Sequence, residues 1–495
     1  MGVIRDFDRP GVFRVFSDAP AFAMVGRQDT SPSPFLLQPP MKLRSRFALL
    51  MLSGSLFHVA ASAQTAPAPD AGNALTARAL ALADASEAQV IEWRRHVHQH
   101  PELSYQEVQT AAYIAAALAK MPGIEVQTGV AKTGIKAVLR GGKPGPVVAL
   151  RADMDALPVA ERNELPFRST VKAPWLNSDV PVSHACGHDT HVAMLLGAAQ
   201  ALSKVRDELP GTVVFLFQPA EEQGPGPVAS GAPAMVKAGV LDNPKVDVVM
   251  GQHISARAPS GTISYRRGSL MASGDVFKIA LKGKGGHGSS PWTAKDPTLA
   301  AAEIALALQN IVSHQIDPLD GPTVVTVGLL QSGNRVNILP DTAEIAGTVR
   351  SLSQKNQKTA HDAIRLKAQK IAESHGLTAE VTIDTGYEVL VSDPAATQAV
   401  TQALETAAGP GKARESQPSM GSEDFGSFGK NIPIVFWHLN ASPFADRNGA
   451  PNHSSEFVID ESALRVGVRA LVGSTLAYMN RPAGGAAGVK VSQAQ

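Results

Sequence analysis

Apolar residues recur at helical spacing through residues 75–121, separated by polar turns and broken at Pro101, and the pattern predicts a helical opening segment. Beyond it the period changes. Short runs dense in Val, Ile and Leu at 135–140, 147–152, 212–218 and 246–253 predict strands. Helical stretches separate the last three, notably 189–202, where Asp189 is placed to cap the first turn. Near-continuous apolar strands alternating with helices predict an α/β domain whose mostly parallel sheet is covered on both faces. Ligands of such sheets gather beyond the carboxyl ends of the strands. Asp153 and Asp155 follow one predicted strand, Glu221 and Glu222 follow another, and His253 closes a third.

Residues 271–385 follow a different order: strand 275–281, helix 297–314, strands 323–330 and 343–351, helix 357–375 and strand 378–385. This β-α-β-β-α-β succession is the split βαβ, ferredoxin-like pattern. It predicts a separate domain inserted into a discontinuous catalytic domain, which it divides into 75–270 and 386–480. The second part opens with helix 393–408 and strand 432–438 and ends in helix. Residues 481–495, rich in Gly and Ala, read as a flexible tail.

The first residues carry a separate signal. Residues 1–40 show no sustained period and are expected to be an extension ahead of the true start at Met41. Lys42, Arg44 and Arg46 precede an apolar run at 47–60, and Ala61, Ser62 and Ala63 supply a small-residue cleavage site. Residues 41–63 therefore read as a secretory signal and 64–74 as an Ala/Pro-rich linker. A span of roughly 20 apolar residues is needed to cross a bilayer, so no stable membrane insertion is expected after cleavage. The product is expected in the periplasm of a Gram-negative host, or otherwise secreted.

Composition changes this picture little. A chain of 495 residues with 44% hydrophobic content is a globular one, and a formal net charge of +1 offers no basic surface for nucleic acid. The single cysteine, Cys186, rules out an intrachain disulfide and leaves a buried hydrophobe, a reactive thiol or a metal ligand.

Cys186 and His188 stand two apart in SHACGHD, just ahead of a helix, and thiolate with imidazole suits a borderline-soft ion such as zinc. Taken alone, a lone cysteine is more often a small core residue. Glu221 and Glu222, adjacent at a strand end, repel each other unless a cation or a proton relieves them. One can hold metal while the other faces water; the plainer alternative is a solvated acidic loop. His253 and His453 are further candidates that individually read as ordinary histidines. Together these residues fit a two-metal hydrolase, in which paired ions orient water and stabilise a developing oxyanion. His96, His98 and His100 form a short histidine tract open to a metal reading, but in a helix positions two apart do not face one another; Trp175, Trp292 and Trp437 read as packing residues, with Trp292 close enough to His287 to border a pocket.

The ordered runs HQHPELSYQE, ALRADMDALPV, HACGHD, FQPAEE, GKGGHGSSP, NILPDTAEIAGTVR, SEDF and PNHSSEF resemble the motifs of the M20 metallopeptidase superfamily. The nearest branch is that of hippurate hydrolases, N-acyl-amino-acid amidohydrolases and auxin-conjugate hydrolases, and the likeness spans about 90–471. It implies a two-domain fold and two divalent ions, zinc first, with manganese or cobalt able to serve. On this resemblance Cys186 bridges the ions, Glu222 and His453 complete one site, and His188 and His253 the other. Glu221 falls on the general acid/base that deprotonates water and protonates the leaving nitrogen. His287 falls on an oxyanion-stabilising histidine that acts across a homodimer interface, and Arg350 on the position that binds a substrate carboxylate. Asn337 is a candidate donor to a substrate oxygen. The implied substrates are small N-acyl amino acids; a dipeptidase or carboxypeptidase with the same centre is the alternative, and a non-catalytic scaffold is disfavoured by the full set of ligands. The sequence departs from the related H-x-D motif, having Asp153-Met154-Asp155. Asp155 is therefore assigned a supporting role and Asp153 none. Thr190 stands where Gly commonly precedes the second His.

Overall fold

The structure is a computed structural model that describes residues 71–224 and 229–481. The predicted signal, the extension before it, most of the linker and all but the first residue of the tail lie outside the described residues. No helix among the described residues is long and apolar enough to cross a membrane.

An eight-stranded sheet organises the larger part of the fold. Its strand order is Ile124–Val130, Gly134–Arg140, Pro210–Gln218, Lys143–Asp153, Val248–Pro259, Ile434–Ser442, Ile263–Tyr265, Ala413–Glu415. The four strands from Pro210–Gln218 to Ile434–Ser442 run parallel, and antiparallel pairs flank them. The apolar runs are continuous because both faces are covered, and successive side chains serve opposite faces. Val213, Phe215 and Phe217 enter one core with Leu150, Met250, Trp437 and the helices Glu87–Gln99, His188–Ser203 and Ala463–Met479. Val214, Leu216, Val249 and Phe436 enter the other, against Phe425, Phe428 and Met235.

The predicted insertion is present as a four-stranded antiparallel sheet ordered Thr323–Ser332, Thr342–Ser351, Gly274–Lys282, Thr378–Tyr387. Helices Pro297–His314 and Gln354–Ser374 close a separate core around Phe277, Ile279, Ile304, Leu308, Ile345 and Ile364. Asp296 and Ser353 cap the two helices through their side chains.

Three local expectations need correction. His253 does not close its strand, which continues to Pro259 because Ile434–Ser442 extends the ladder; pairing with Lys143–Asp153 stops at Arg151 and Gly251. Asp189 is not the cap of the central helix. Gly187 holds that position at φ +90°, and a Cβ there would lie 2.3 Å from Ile254 Cγ2, so both backbone and space call for glycine. Asp189 lies inside the first turn, buried against Arg94 at 2.7 Å and His98 at 2.9 Å. Trp292 does not pack: it is 80% exposed in the short turn Pro291–Thr293.

Candidate metal centre and catalytic site

Four segments converge at the carboxyl ends of the parallel strands: the Cys186 turn leading into His188–Ser203, the turn after Gln218, the strand bearing His253, and the loop bearing His453. The His453 loop is tied down by one backbone hydrogen bond and two from the Asn452 side chain. The His453 N–H donates to the Ala185 carbonyl at 2.8 Å, and the Asn452 amide donates to the Cys186 carbonyl at 2.8 Å and the Ile254 carbonyl at 3.2 Å. His453 itself takes φ +69°, an uncommon conformation for a side chain of its size.

Among the donor groups that result, each with its atoms within 4.8 Å of one another, two hold the five predicted ligands: Cys186, His188 and His253, and Cys186, Glu222 and His453. Cys186 belongs to both. Its Sγ lies 3.4 Å from His253 Nε2. His453 Nε2 lies 2.8 Å from Glu222 Oε1 without hydrogen-bond alignment. The cluster is mostly buried, with His453 its solvent-facing member at 55% side-chain exposure.

The residues present fit divalent ions on the chemistry of their free atoms. His188 Nδ1 donates to the Asp155 carbonyl at 2.8 Å, which leaves Nε2 with the lone pair, and that atom is buried without a protein partner. His253 repeats the arrangement, with Nδ1 donating to the Ile254 carbonyl at 2.7 Å. A second nitrogen fixed by a carbonyl is how a protein aims an imidazole at a metal. Burial, then the charges of Glu222, Glu221 and Asp153, push the Cys186 thiol well above its usual range. A thiolate there requires a cation. Burial pulls His188 down, but Asp153 and Asp155 outweigh it and hold it at about 10, so the same pocket attracts a proton where an ion would sit.

Glu221 stands beside both groups, its Oε2 4.0 Å from His188 Nε2. Burial first, then Glu423, Glu222 and Asp424, push its carboxyl well above the ordinary carboxylate range. The turn that carries it is gripped through the main chain. Asp155 accepts from the N–H groups of Glu221 at 3.0 Å and Glu222 at 3.1 Å, while Ser104 donates to it at 2.7 Å. Asp155 is thus next to the cluster and oriented toward its support.

Several residues at this site had no role assigned from sequence. Glu107 accepts from Ala220 N–H at 2.9 Å, Tyr105 N–H at 2.9 Å and Thr133 Oγ1 at 2.6 Å, holding Ala220 at φ +49°. His191 donates from Nδ1 to Asp153 at 2.5 Å and accepts from Ile254 N–H at 2.8 Å, which joins the central helix to the His253 strand. Arg151 is fully buried and faces Asp153 at 2.6 Å, Glu423 at 3.0 Å and Asp424 at 3.1 Å. One cation among three carboxylates leaves the region short of positive charge. A lone arginine in an apolar strand run was the available signal, since buried charges are paired.

Among the proposed substrate contacts, Arg350 lies in Thr342–Ser351 with its guanidinium beside Gly274, where a Cβ would meet Nη1 at 3.0 Å; it has no acidic partner among the described residues. His287 is exposed in a two-residue ladder with Ile338, accepting from Ser289 N–H at 3.1 Å and in contact with its hydroxyl at 2.8 Å. Asn337 is exposed and its carbonyl accepts from Gly288. The histidines before Pro101 stay outside the cluster: His96 stacks on Tyr113, and His98 lies between Asp189 and Glu161.

The peptidase family M20/M25/M40 model matches residues 149–476. The chain is 41% identical over 396 residues to thermostable carboxypeptidase 2 of Saccharolobus solfataricus, covering 79% of this chain and 96% of that protein. It is 42% identical over 311 residues to the N-acyl-L-amino acid amidohydrolase of Geobacillus stearothermophilus, covering 63% and 80%. Among solved structures, a Bacillus subtilis protein described as a dinuclear metal binding peptidase of the M20 family matches with TM-score 0.67 and 34% identity, covering 80% of this chain and 99% of that one. The chain belongs to peptidase family M20/M25/M40, and its chemistry is the hydrolysis of amide bonds.

Proposed function

We propose that this protein hydrolyses the amide bond of N-acyl amino acids or related small conjugates, with two divalent ions held by Cys186, His188, Glu222, His253 and His453. The observation that carries the reading is the sharing of Cys186 between two donor groups with Glu221 beside them. When bound, the ions supply Lewis-acid stabilisation of the reacting oxygen and make water acidic enough to attack. Cys186, standing between the groups, contributes a negative charge that offsets the repulsion of two cations. Glu221 accepts the proton of the attacking water on its carboxylate and delivers it to the leaving nitrogen.

Arg350, without an acidic partner among the described residues, binds the free carboxylate of the amino-acid half by its planar fork. Asn337 donates to a substrate oxygen. His287 stabilises the oxyanion, and its exposure supports action across the interface of a homodimer. Thiolate and imidazole donors favour zinc, while the carboxylate allows manganese or cobalt. The alternative, a carboxypeptidase or dipeptidase with the same centre, draws support from the Saccharolobus relative's name.

The test is turnover of hippurate, N-acetyl and long-chain acyl amino acids, and dipeptides with added Zn, Mn or Co, beside the variant Glu221→Gln. The variant is expected to keep its metal and lose about 100-fold or more in kcat. Full turnover of a metal-replete variant overturns the assignment, and a requirement for a free amine on the acyl half selects the dipeptidase reading. Export by the 41–63 signal belongs to the same proposal and rests on the sequence pattern. The mature product is expected to begin at Gln64, and N-terminal sequencing that finds an earlier start removes this part.

A further inference from the structure

The chain crosses into the four-stranded sheet after Met271 and returns through Tyr387, and the two crossings pair with each other. Gly274 is in register with Tyr387, and Met271 with Leu390. The approach at Gly274 is close enough that a Cβ would lie 2.9 Å from Tyr387 Cδ2. This paired crossing is a point about which the inserted sheet could pivot against the large one. From it the Tyr387 hydroxyl donates to the main-chain carbonyl of Glu221 at 2.8 Å.

That bond completes a set. Two peptide planes flank the Cα of Glu221, and their rotation decides where its carboxylate points. In the first, the Ala220 carbonyl accepts from Gly231 N–H at 2.9 Å and the Glu221 N–H donates to Asp155 Oδ1 at 3.0 Å. In the second, the Glu222 N–H donates to Asp155 Oδ2 at 3.1 Å and the Glu221 carbonyl accepts from Tyr387. Both planes are therefore held at both ends. Three of the four bonds come from the segments that build the large sheet and its loops. Tyr387 alone comes from a strand of the inserted sheet.

We propose that Tyr387 is a positioning residue that makes the orientation of Glu221 depend on where the inserted sheet stands. Its hydroxyl acts on the main-chain carbonyl of Glu221 and not on the carboxylate. With the hydroxyl in place, the peptide after Glu221 is fixed and its carboxylate is aimed; when rotation of the inserted sheet about the crossing carries the hydroxyl off the carbonyl, that peptide is released. Closing the inserted sheet over substrate would then set the proton carrier in the same movement. This inference rests on the assignment of Glu221 as general acid/base.

The variant Tyr387→Phe removes one hydroxyl and keeps the ring. In the metal-replete, full-length enzyme, kcat on an N-acyl amino acid is expected to fall about tenfold, the scale of one lost hydrogen bond, with KM within about twofold. Metal content and melting temperature should stay near wild type. Deuterium uptake in peptides covering Gln218 to Gln223 should quicken, because the Glu222 N–H shares the released plane. An unchanged kcat, or a fall in kcat that tracks lost metal or early melting, overturns the proposal. Glu221→Gln is measured in parallel. An inactive Glu221→Gln beside an unimpaired Tyr387→Phe removes the coupling alone, whereas an active Glu221→Gln removes the reading beneath it.

Discussion

Cys186 shows how far a single residue type carries an argument. Its identity limits its uses to three, but the choice among them depends on carboxylates and imidazoles that arrive from distant segments. His98 shows the same dependence through an ion-pair network. Burial opposes its charge, yet the Asp189 charge, the Asp189 hydrogen bond and the Glu161 contact together raise its affinity for a proton. The folded value lies above the unfolded one, so His98 contributes stability that is fully present below about pH 6.5 and is lost as pH rises through the raised value. His98→Gln is expected to melt earlier than wild type at pH 6, with a loss of about 3 kcal/mol typical of a broken buried pair. That gap should narrow as the pH is raised above 6.5. Thermal melts of both proteins across pH 6 to 9 check this, and a gap that widens with pH means that His98 is neutral in the fold.

At the scale of elements, strands and helices were legible because their periods are set by neighbouring residues. The run at 212–218 announced a strand covered on both faces, and Val213 and Val214 do enter opposite cores. The split βαβ order of 271–385 was equally plain, since each strand alternates and each helix carries an apolar stripe. Two of the misplaced features, at His253 and Asp189, involve contacts made from elsewhere. His253 sits inside a longer strand because a partner strand from residues 434–442 extends it. Asp189 has cap chemistry in its local sequence, but Arg94 and His98, about ninety residues earlier, claim its carboxylate. The turn bearing Glu221 passes through Ala220 at φ +49°, a conformation that alanine does not advertise and that Glu107 and Asp155 sustain.

For the whole molecule, the donor set draws on residues 186 to 453 and exists only when the fold is closed. Ions that bind this set and not the unfolded chain add to stability by mass action, about 2.7 kcal/mol at one hundred times their dissociation constant. Removal by a chelator is therefore expected to lower the melting temperature by several degrees and abolish turnover, with both restored by zinc. Melting unchanged by chelation, in a sample shown to have lost its metal, counts against a centre that bridges these segments.

The sequence by itself determined the two architectures, the family, and the residues able to ligate metal or carry a proton, because hydrophobic period and ordered motifs are written along the chain. Tertiary structure decided which donors meet, which nitrogen of His188 is left free, which carboxylates surround Arg151 and which groups hold the turn bearing Glu221. Those properties depend on distances between segments tens to hundreds of residues apart, and on burial that turns small displacements into large changes in charge stability.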